Sequence, residues 1–199
     1  QFTMVVRAGC ADEPDLQCRG LAHYLEHLIL VGRNPDHTDT AFRFFPEGSS
    51  NGWTSHRATG YIHRFPKRPT AEADLEKLFA FYANRLKGFE IAPEEAVRER
   101  NVVLQEYNVR LGGNPFARFQ RRLDRVLLPD HPLGQSVGGT PETIAELSVE
   151  SAKAFHKTWY TLNNVFFVVA GDVSELALKG IVDRTLSGLP DQPLPERAW

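Results

Sequence analysis

Two histidines, four residues apart, enclose a glutamate in the stretch RGLAHYLEHLIL at residues 19–30. His23 and His27 stand at i and i+4, so on a helix both side chains lie on one face with Cβ atoms about 5–6 Å apart. Two imidazoles at that spacing can bind one Zn²⁺ ion. Glu26 projects near the same ion, where a carboxylate can take a proton from a metal-activated water that attacks a carbonyl. This H-x-x-E-H order of residues predicts half of a hydrolytic zinc site.

The alternative is that these three side chains are polar residues on a solvated helix face. Such a face explains one histidine well, but the three-residue pattern should occur by chance in roughly fewer than one chain in fifty of this length. In addition, Leu21, Leu25 and Leu28 form an apolar stripe that buries much of the same helix. The metal-site interpretation is therefore favoured.

A zinc site that hydrolyses peptides needs a third protein ligand and one open position for water. The stretch RERNVVLQEYN offers Glu99 and Glu106, which are seven residues apart and so two turns apart on one helical face. Apolar residues at 102–104 predict that this helix is largely buried, and a buried carboxylate needs a partner such as a cation. The acids could instead form surface pairs with nearby arginines, namely Arg98, Arg100 and Arg110. The residues alone leave both alternatives open.

The elements that must position these side chains follow from hydrophobic periodicity and capping residues. Strands are predicted at residues 2–8, as two short runs within 42–65, and as a buried apolar run at 165–170. Helices are predicted at residues 20–31, 70–87, 93–110, from 116 to a stop at Pro129, from 140, at 148–160 and at 174–187. Thr140, Ser148 and Ser174 are candidate helix caps. These elements favour an α+β layer structure.

The composition excludes several classes of function. With 199 residues, of which 42% are hydrophobic, the chain can form one sizeable core or two small ones. A net charge of −2, from 23 basic and 25 acidic residues, gives no electrostatic reason to expect a nucleic-acid partner. The longest apolar runs are too short to span a membrane. Because the chain begins without Met and almost inside a strand, we expect a processed product or a piece of a longer protein.

Two cysteines, Cys10 and Cys18, stand before the H-x-x-E-H helix. They could pair across the loop that leads into this helix, or remain free thiols, and the sequence leaves both alternatives open. Cys18 is a weaker candidate for metal ligation than the histidines, which form a better ligand pattern. Two cysteines do not fix the compartment, so a bacterial periplasm and a cytoplasm both stay open.

GLAHYLEHLIL resembles the active-site helix of the pitrilysin (insulinase) metallopeptidase family, whose members include insulin-degrading enzyme and the mitochondrial processing peptidase. In that family a ligand glutamate follows the motif by about 75–80 residues. Here 106 − 27 = 79, so the resemblance selects Glu106 as the third ligand and implies that Glu99 supports the site from behind. It thus implies a zinc metalloendopeptidase in which His23, His27 and Glu106 hold Zn²⁺ and Glu26 is the general base.

The resemblance extends along most of the chain. SSNGWTSHRATGYIHRFP is similar to a pair of strands in the family, and the HPLG, GGT and YTLNN motifs follow in the family's order. The family's domain is a two-layer α/β roll, in which helices cover one face of a mostly antiparallel sheet. We expect the same α+β fold here.

Asn51 and Gly52 carry two conflicting predictions. Asn-Gly on its own is typical of a type I′ hairpin turn. The resemblance instead implies an edge strand that pairs with the backbone of a peptide or unfolded polypeptide substrate. Its residues are Ser50, Asn51, Gly52, Trp53 and Thr54. Gly52 stands where the family usually has Ala, which leaves substrate preference open.

The resemblance also implies how the chain is organised. We expect residues 1–188 to be a single catalytic domain that lacks the family's first strand, and the Pro-rich residues 189–199 to be a linker toward a second domain. A homologous second half, on the same chain or on a partner subunit, normally supplies an Arg and a Tyr to the substrate site. We therefore expect these residues alone to bind zinc but to cleave peptides weakly. The alternative is a non-catalytic core-type subunit that binds or scaffolds peptides, although the intact Glu26 argues against it.

Overall fold

The computed structural model describes residues 1–14, 17–34, 48–112, 114–129, 131–189 and 191–197. The strands in these ranges are β1 (Phe2–Val6), β2 (Ser49–Thr54), β3 (Thr59–Arg64) and β4 (Val165–Val169). The α-helices are α1 (Leu21–Val31), α2 (Ala71–Lys87), α3 (Pro93–Tyr107), α4 (Pro115–Leu127), α5 (Pro141–Ala145), α6 (Val149–Trp159) and α7 (Glu175–Leu186). The predicted strand residues at 42–47 lie outside the described ranges.

The four strands form one antiparallel sheet in the order β2-β3-β1-β4. Alternate residues of β1, such as Phe2 and Met4, are fully buried against the helices. On the opposite face of β4, Phe166 and Val168 remain 47% and 48% exposed. Helices therefore cover one face of the sheet, which confirms the α+β prediction. The prediction of a strand at 165–170 is confirmed, but only its inner face is covered, since Val165, Phe167 and Val169 pack against the core while the outer face is exposed.

The core lies between the sheet and the helix layer. Phe2 packs edge-on against Phe79 at 5.0 Å between ring centroids and stacks on Tyr82 at 5.4 Å. Helix α1 crosses this layer with nine of its eleven residues buried. It begins after Gly20, which adopts a left-handed φ of 88°. A Cβ atom there would lie 2.7 Å from the Gly138 carbonyl oxygen, so the entry to α1 requires glycine.

Helix α3 departs from two predictions. It ends at Tyr107 and continues as a π-helical turn over Asn108–Gly112, where one helix was predicted to Arg110. Only Ala96 and Val103 are buried in α3, so the prediction of a largely buried helix is wrong. Of the apolar residues at 102–104, only the middle one is buried, and its two neighbours remain partly exposed.

Helix α4 has no buried residue. Its apolar residues Phe116 and Phe119 are 72% and 60% exposed, and Val126 is 69% exposed. The prediction of a helix that stops at Pro129 is confirmed, but its apolar face is not covered by other described residues. The neighbouring predictions of helix caps are confirmed, because Thr140, Ser148 and Ser174 each accept a hydrogen bond from a backbone N–H in the first turn of the following helix.

Cys10 and Cys18 form a disulfide bond, which decides between the two alternatives for these cysteines. The bond closes the loop that runs from β1 to α1. Within the described ranges, no helix combines the length and the apolar character needed to cross a bilayer. Residues 191–197 have no helix or strand, and Arg197 lies 2.7 Å from Asp12 and over the Trp159 ring. The assignment of 189–199 as a linker stays a prediction.

Candidate metal centre

Helix α1 presents three polar side chains to a cleft beside β2 and α3. His23 is 6% exposed and Glu26 5% exposed, so both lie at the bottom of this cleft. The same helix is held from the opposite side by fully buried Leu25 and Leu28. The apolar face therefore fixes the rotation of α1, and with it the direction in which the polar side chains point.

Helix α3 brings Glu106 to the two histidines. His23 Nε2 lies 3.5 Å from Glu106 Oε2, and His27 Nε2 lies 3.6 Å from Glu106 Oε1. One donor atom from each residue can be chosen so that all lie within 4.8 Å of one another. Two atoms that are each about 2.0–2.1 Å from a tetrahedral ion are about 3.3–3.4 Å apart. Two imidazoles and one carboxylate at these separations could hold a zinc ion and leave one position open.

Glu99 lies behind His27. Its Oε2 is 3.2 Å from His27 Nδ1, so the carboxylate can accept a hydrogen bond that leaves Nε2 of the same ring facing Glu106. A hydrogen bond of this type sets the tautomer and the orientation of a ligand histidine. Glu106 also pairs with Arg110 at 2.8 Å. The two alternatives for Glu106 therefore coexist, since one carboxylate faces both the histidines and a surface arginine.

Glu26 lies between α1 and β2. The Thr54 hydroxyl donates a 2.6 Å hydrogen bond to Glu26 Oε2. The other oxygen, Oε1, lies against Gly52, where a Cβ atom would stand only 2.2 Å away. Burial raises the pKa of the Glu26 carboxyl, against the opposite effect of Thr54 and the two histidines. A carboxylate held in this way is poised to exchange a proton at the centre of the cleft.

The charged groups of the site stabilise one another. Hydrogen bonding from His23, together with His27 and Arg110, lowers the pKa of Glu106 to about 2 despite partial burial. Burial opposes a charge on His27, but the hydrogen bond to Glu99 and the surrounding carboxylates outweigh it and raise the pKa of this histidine. The excess of carboxylates over cations makes the cleft a favourable place for a cation.

The cleft has a volume of about 280 Å³ and is bordered by the predicted substrate strand. Every residue of this strand (Ser50, Asn51, Gly52, Trp53 and Thr54) lines it, together with Arg110 and the acids and histidines described above. Asn51 and Gly52 lie in the middle of β2, an edge strand of the sheet. The edge-strand prediction is confirmed and the type I′ turn is wrong. The hairpin turn lies farther along, where Ser55 N–H donates to the Ala58 carbonyl.

Sequence reasoning missed Glu13, which holds the entry to α1. Its carboxylate accepts hydrogen bonds from the backbone N–H groups of Arg19 and Ala22. Burial raises the pKa of this carboxyl to about 8, against the effect of these hydrogen bonds. Glu13 stands eight residues before the helix, so no capping rule on adjacent residues could have identified it.

The remaining histidines in the described ranges have structural partners. His63 contacts Ser50 and Tyr82, and His156 donates to the Arg85 carbonyl. His131 accepts from the Leu133 N–H and so shapes the turn that it begins. His56 lies near both cysteines, but the disulfide removes the thiolates that a metal would need. His37 lies outside the described residues.

Comparison with known proteins agrees with the geometry of this cleft. Residues 1–140 match the family model described as Insulinase (Peptidase family M16), and residues 146–198 match the model described as Peptidase M16 inactive domain. The candidate ligands all fall in the first range. Strand β4 falls in the second, yet pairs with β1 in the same sheet.

Individual relatives give the same result at modest identity. An uncharacterized zinc protease of Rickettsia bellii is 27% identical over 175 residues, which is 85% of this chain and 40% of the relative. The periplasmic protease PqqL of Escherichia coli has a crystal structure with a TM-score of 0.83 at 22% identity, covering 100% of this chain and 22% of that one. The ferredoxin protease FusC E83A mutant, solved with Arabidopsis ferredoxin, has a TM-score of 0.84 at 21% identity, over 100% and 22% of the two chains.

This chain thus spans less than half the length of the relatives described here. The solved structures, at 21% and 22% identity, show the fold. The family model, in contrast, matches well over half of the chain and includes the entire cleft. The chain belongs to the insulinase family, peptidase family M16.

Proposed function

We propose that this chain is the zinc-binding part of a metalloendopeptidase that hydrolyses peptide bonds. One observation carries the proposal: two imidazoles and a carboxylate converge within 4.8 Å beside a second, buried carboxylate. In this proposal His23, His27 and Glu106 hold zinc, and Glu99 orients His27. Bound zinc supplies a Lewis acid that polarises the substrate carbonyl and lowers the pKa of the attacking water.

Glu26 acts as the general base in this mechanism. Its carboxylate takes a proton from the attacking water and returns it to the amine that leaves when the peptide bond breaks. The raised pKa supports this role, because a carboxylate with a higher pKa accepts the proton from water more readily and can then donate it in the second step. Thr54 holds one carboxylate oxygen, and the other lies beside Gly52, a residue that lines the cleft with Glu26.

The substrate lies extended along β2 in this proposal. The outer edge of β2 has no strand partner among the described residues, so its N–H and C=O groups are available to a polypeptide backbone. Pairing by backbone groups accepts many sequences, which suits an enzyme that acts on peptides or unfolded polypeptides. The structural relative solved with a protein bound, ferredoxin, is consistent with a polypeptide substrate.

A homologous second half, on the same or a partner chain, is part of this proposal. Donors from that half would stabilise the oxyanion, and one such donor is often worth about 2.7–4 kcal/mol. We therefore propose that residues 1–199 alone bind zinc but hydrolyse peptides slowly. A non-catalytic core-type subunit is the second candidate. It is less well supported, since the match to the inactive-domain model covers none of the cleft residues.

Zinc content and peptide hydrolysis, measured on the complete gene product, test the proposal. We expect about one zinc per chain, hydrolysis that stops with a chelator and returns with zinc, and loss of zinc in His27→Ala. Glu26→Gln should keep zinc while the rate falls by about 10²–10⁴-fold. His131→Asn, a change at a histidine that does not line the cleft, is the matched control. Absence of zinc, or full activity of Glu26→Gln, would refute the assignment.

A further inference from the structure

Helix α4 presents an arginine-rich face to a concave surface near the candidate metal centre. Its four arginines line a cavity of about 720 Å³, and we call this cavity the arginine groove. They are Arg118, Arg121, Arg122 and Arg125. Glu142 is the one carboxylate among the residues that line the groove. The groove therefore carries an excess of positive charge in a chain whose net charge is −2.

These arginines are largely unneutralised. Arg121 lies over the Tyr107 ring at 5.4 Å and donates to the Gly139 carbonyl. Arg118, Arg122 and Arg125 are exposed and have no ion-pair partner in the described part of the chain. Three guanidinium groups within two helical turns repel one another, so an anionic ligand would stabilise their arrangement.

The arginine groove is continuous with the zinc cleft. An intermediate cavity of about 430 Å³ shares His23, Glu106 and Arg110 with the cleft. The same cavity shares Tyr107 and Arg121 with the arginine groove. The three cavities thus adjoin one another in series, and a polypeptide that leaves the cleft on the Glu106 side runs toward the arginines past Tyr107 and Arg121.

We propose that the arginine groove binds an acidic segment of the polypeptide substrate, to one side of the bond that is cleaved. This inference rests on the proposed function and adds a substrate class to it. Guanidinium groups bind carboxylates in bidentate geometry, and clustered positive charge also speeds the approach of an acidic chain. Peptides with Asp or Glu on one flank are then the preferred substrates.

Two other occupants are outcomes of the test. The exposed apolar residues of α4, such as Phe119, would also suit an anionic membrane surface. A second half of the protein could instead cover the helix. The concave shape of the groove and its continuity with the cleft favour an extended peptide over a flat bilayer.

The experiment compares labelled peptides that share one neutral core and carry four Glu or four Gln residues on either flank. Binding is measured by fluorescence anisotropy to the zinc-loaded, complete protein with Glu26→Gln, so that no turnover occurs. We expect one of the Glu flanks to tighten binding about tenfold at low salt, and this gain to disappear in about 0.5 M salt. Arg122→Gln with Arg125→Gln should reduce the gain to about threefold or less, whereas Arg98→Gln, an exposed arginine on α3, should leave it unchanged.

Three results would overturn the inference. One is equal binding of Glu and Gln peptides, which is the result expected if a second half covers α4. Another is a Glu preference that survives in the double arginine variant. The third is that the arginines govern binding to phosphatidylglycerol vesicles but not to peptides. Hydrolysis of the Gln peptides by protein with intact Glu26 is measured in parallel. If it persists and stops with a chelator, the proposed function stands while the acidic preference fails.

Discussion

The two helices that build the candidate metal centre are held in opposite ways. In α1, nine of eleven residues are buried, and the helix lies between the sheet and other helices. In α3, only two of fifteen residues are buried, and a π-helical turn follows directly after Tyr107. The histidines and Glu26 thus come from a helix fixed by core packing. Glu99 and Glu106 come from a helix with little buried surface.

This difference divides the site into a rigid half and an adjustable half. Core packing fixes the position and rotation of α1, and with them the places from which His23 and His27 project, whereas Glu99 orients the His27 ring. Glu106 is placed by the histidines themselves and by Arg110, so its position depends on charge. Changes in α1 should therefore act through folding, whereas changes in α3 should act through binding.

The largest expected effect comes from truncating one apolar side chain in each helix and comparing the two losses of stability. Leu25→Ala removes a fully buried side chain and should lower the free energy of unfolding by about 2–5 kcal/mol. Val97→Ala, at a position 48% exposed on α3, should change it by no more than about 0.5 kcal/mol. Urea denaturation of both variants measures the difference. Similar losses would mean that α3 is packed as firmly as α1.

Removing the disulfide that precedes α1 tests how far the stability of the rigid half depends on this cross-link. It closes a loop with a sequence separation of 8 between Cys10 and Cys18. Replacing both cysteines with serine should cost about 2–3 kcal/mol, because the unfolded chain gains freedom when this short loop opens. The same loss should appear when a thiol reductant is added to the wild-type protein. A further loss when the reductant is added to the double variant would show that the disulfide is not its cause.

His156, a buried histidine of α6, should make the free energy of unfolding depend on pH. Burial lowers the pKa of His156 from 6.5 to about 4, so the folded state favours the neutral ring. Stability from this group is complete above pH 6.5 and is lost as pH falls toward 4. The loss between pH 7 and pH 5 should be about 2 kcal/mol.

His156→Gln is the matched variant, because its amide nitrogen can still donate to the Arg85 carbonyl. Urea denaturation of chelator-treated protein at pH 7 and pH 5 should show a smaller acid loss in this variant than in the wild type. Equal losses would show that His156 does not titrate during acid unfolding. Chelation matters here because zinc release at low pH would otherwise add to the effect.

The same contrast explains what the sequence could and could not predict. Short-range rules placed α1 correctly, since the apolar stripe of Leu21, Leu25 and Leu28 coincides with a truly buried face. In α3 and α4 the same rules did not predict burial correctly. Many apolar residues of these helices are exposed, because few elements in the described chain cover them. The rules also failed for Asn51-Gly52, where pairing with β3 overrides a local turn preference.

The candidate site was partly predictable for a related reason. The spacing of His23 and His27 on one helix is a local property, but the choice of Glu106 over Glu99 came from resemblance to a family. In the structure both glutamates face His27, Glu99 at Nδ1 and Glu106 at Nε2, but Glu106 also faces His23. This difference depends on how α1 and α3 pack against each other. The spacing of residues within one helix carries no information about that packing.

Glu99→Gln has the smallest expected effect. It distinguishes a Glu99 that orients His27 from a Glu99 that binds zinc directly. The substituted amide would keep the size of the side chain but would accept a weaker hydrogen bond from His27 Nδ1, so the ring would be a poorer ligand. Zinc affinity should fall by about tenfold or somewhat more, while the free energy of unfolding of the zinc-free protein stays within about 0.5 kcal/mol. Competition with a chromogenic chelator measures the affinity.

Glu94→Gln, on the exposed first turn of α3, is the control and should leave zinc affinity unchanged. Loss of zinc as complete as in His27→Ala would make Glu99 a ligand in its own right, and the site would then hold four protein ligands with no place for water. An unchanged affinity would mean that the core alone orients His27. The rigid half of the site would then extend to the histidine ring itself, and α3 would contribute Glu106 alone.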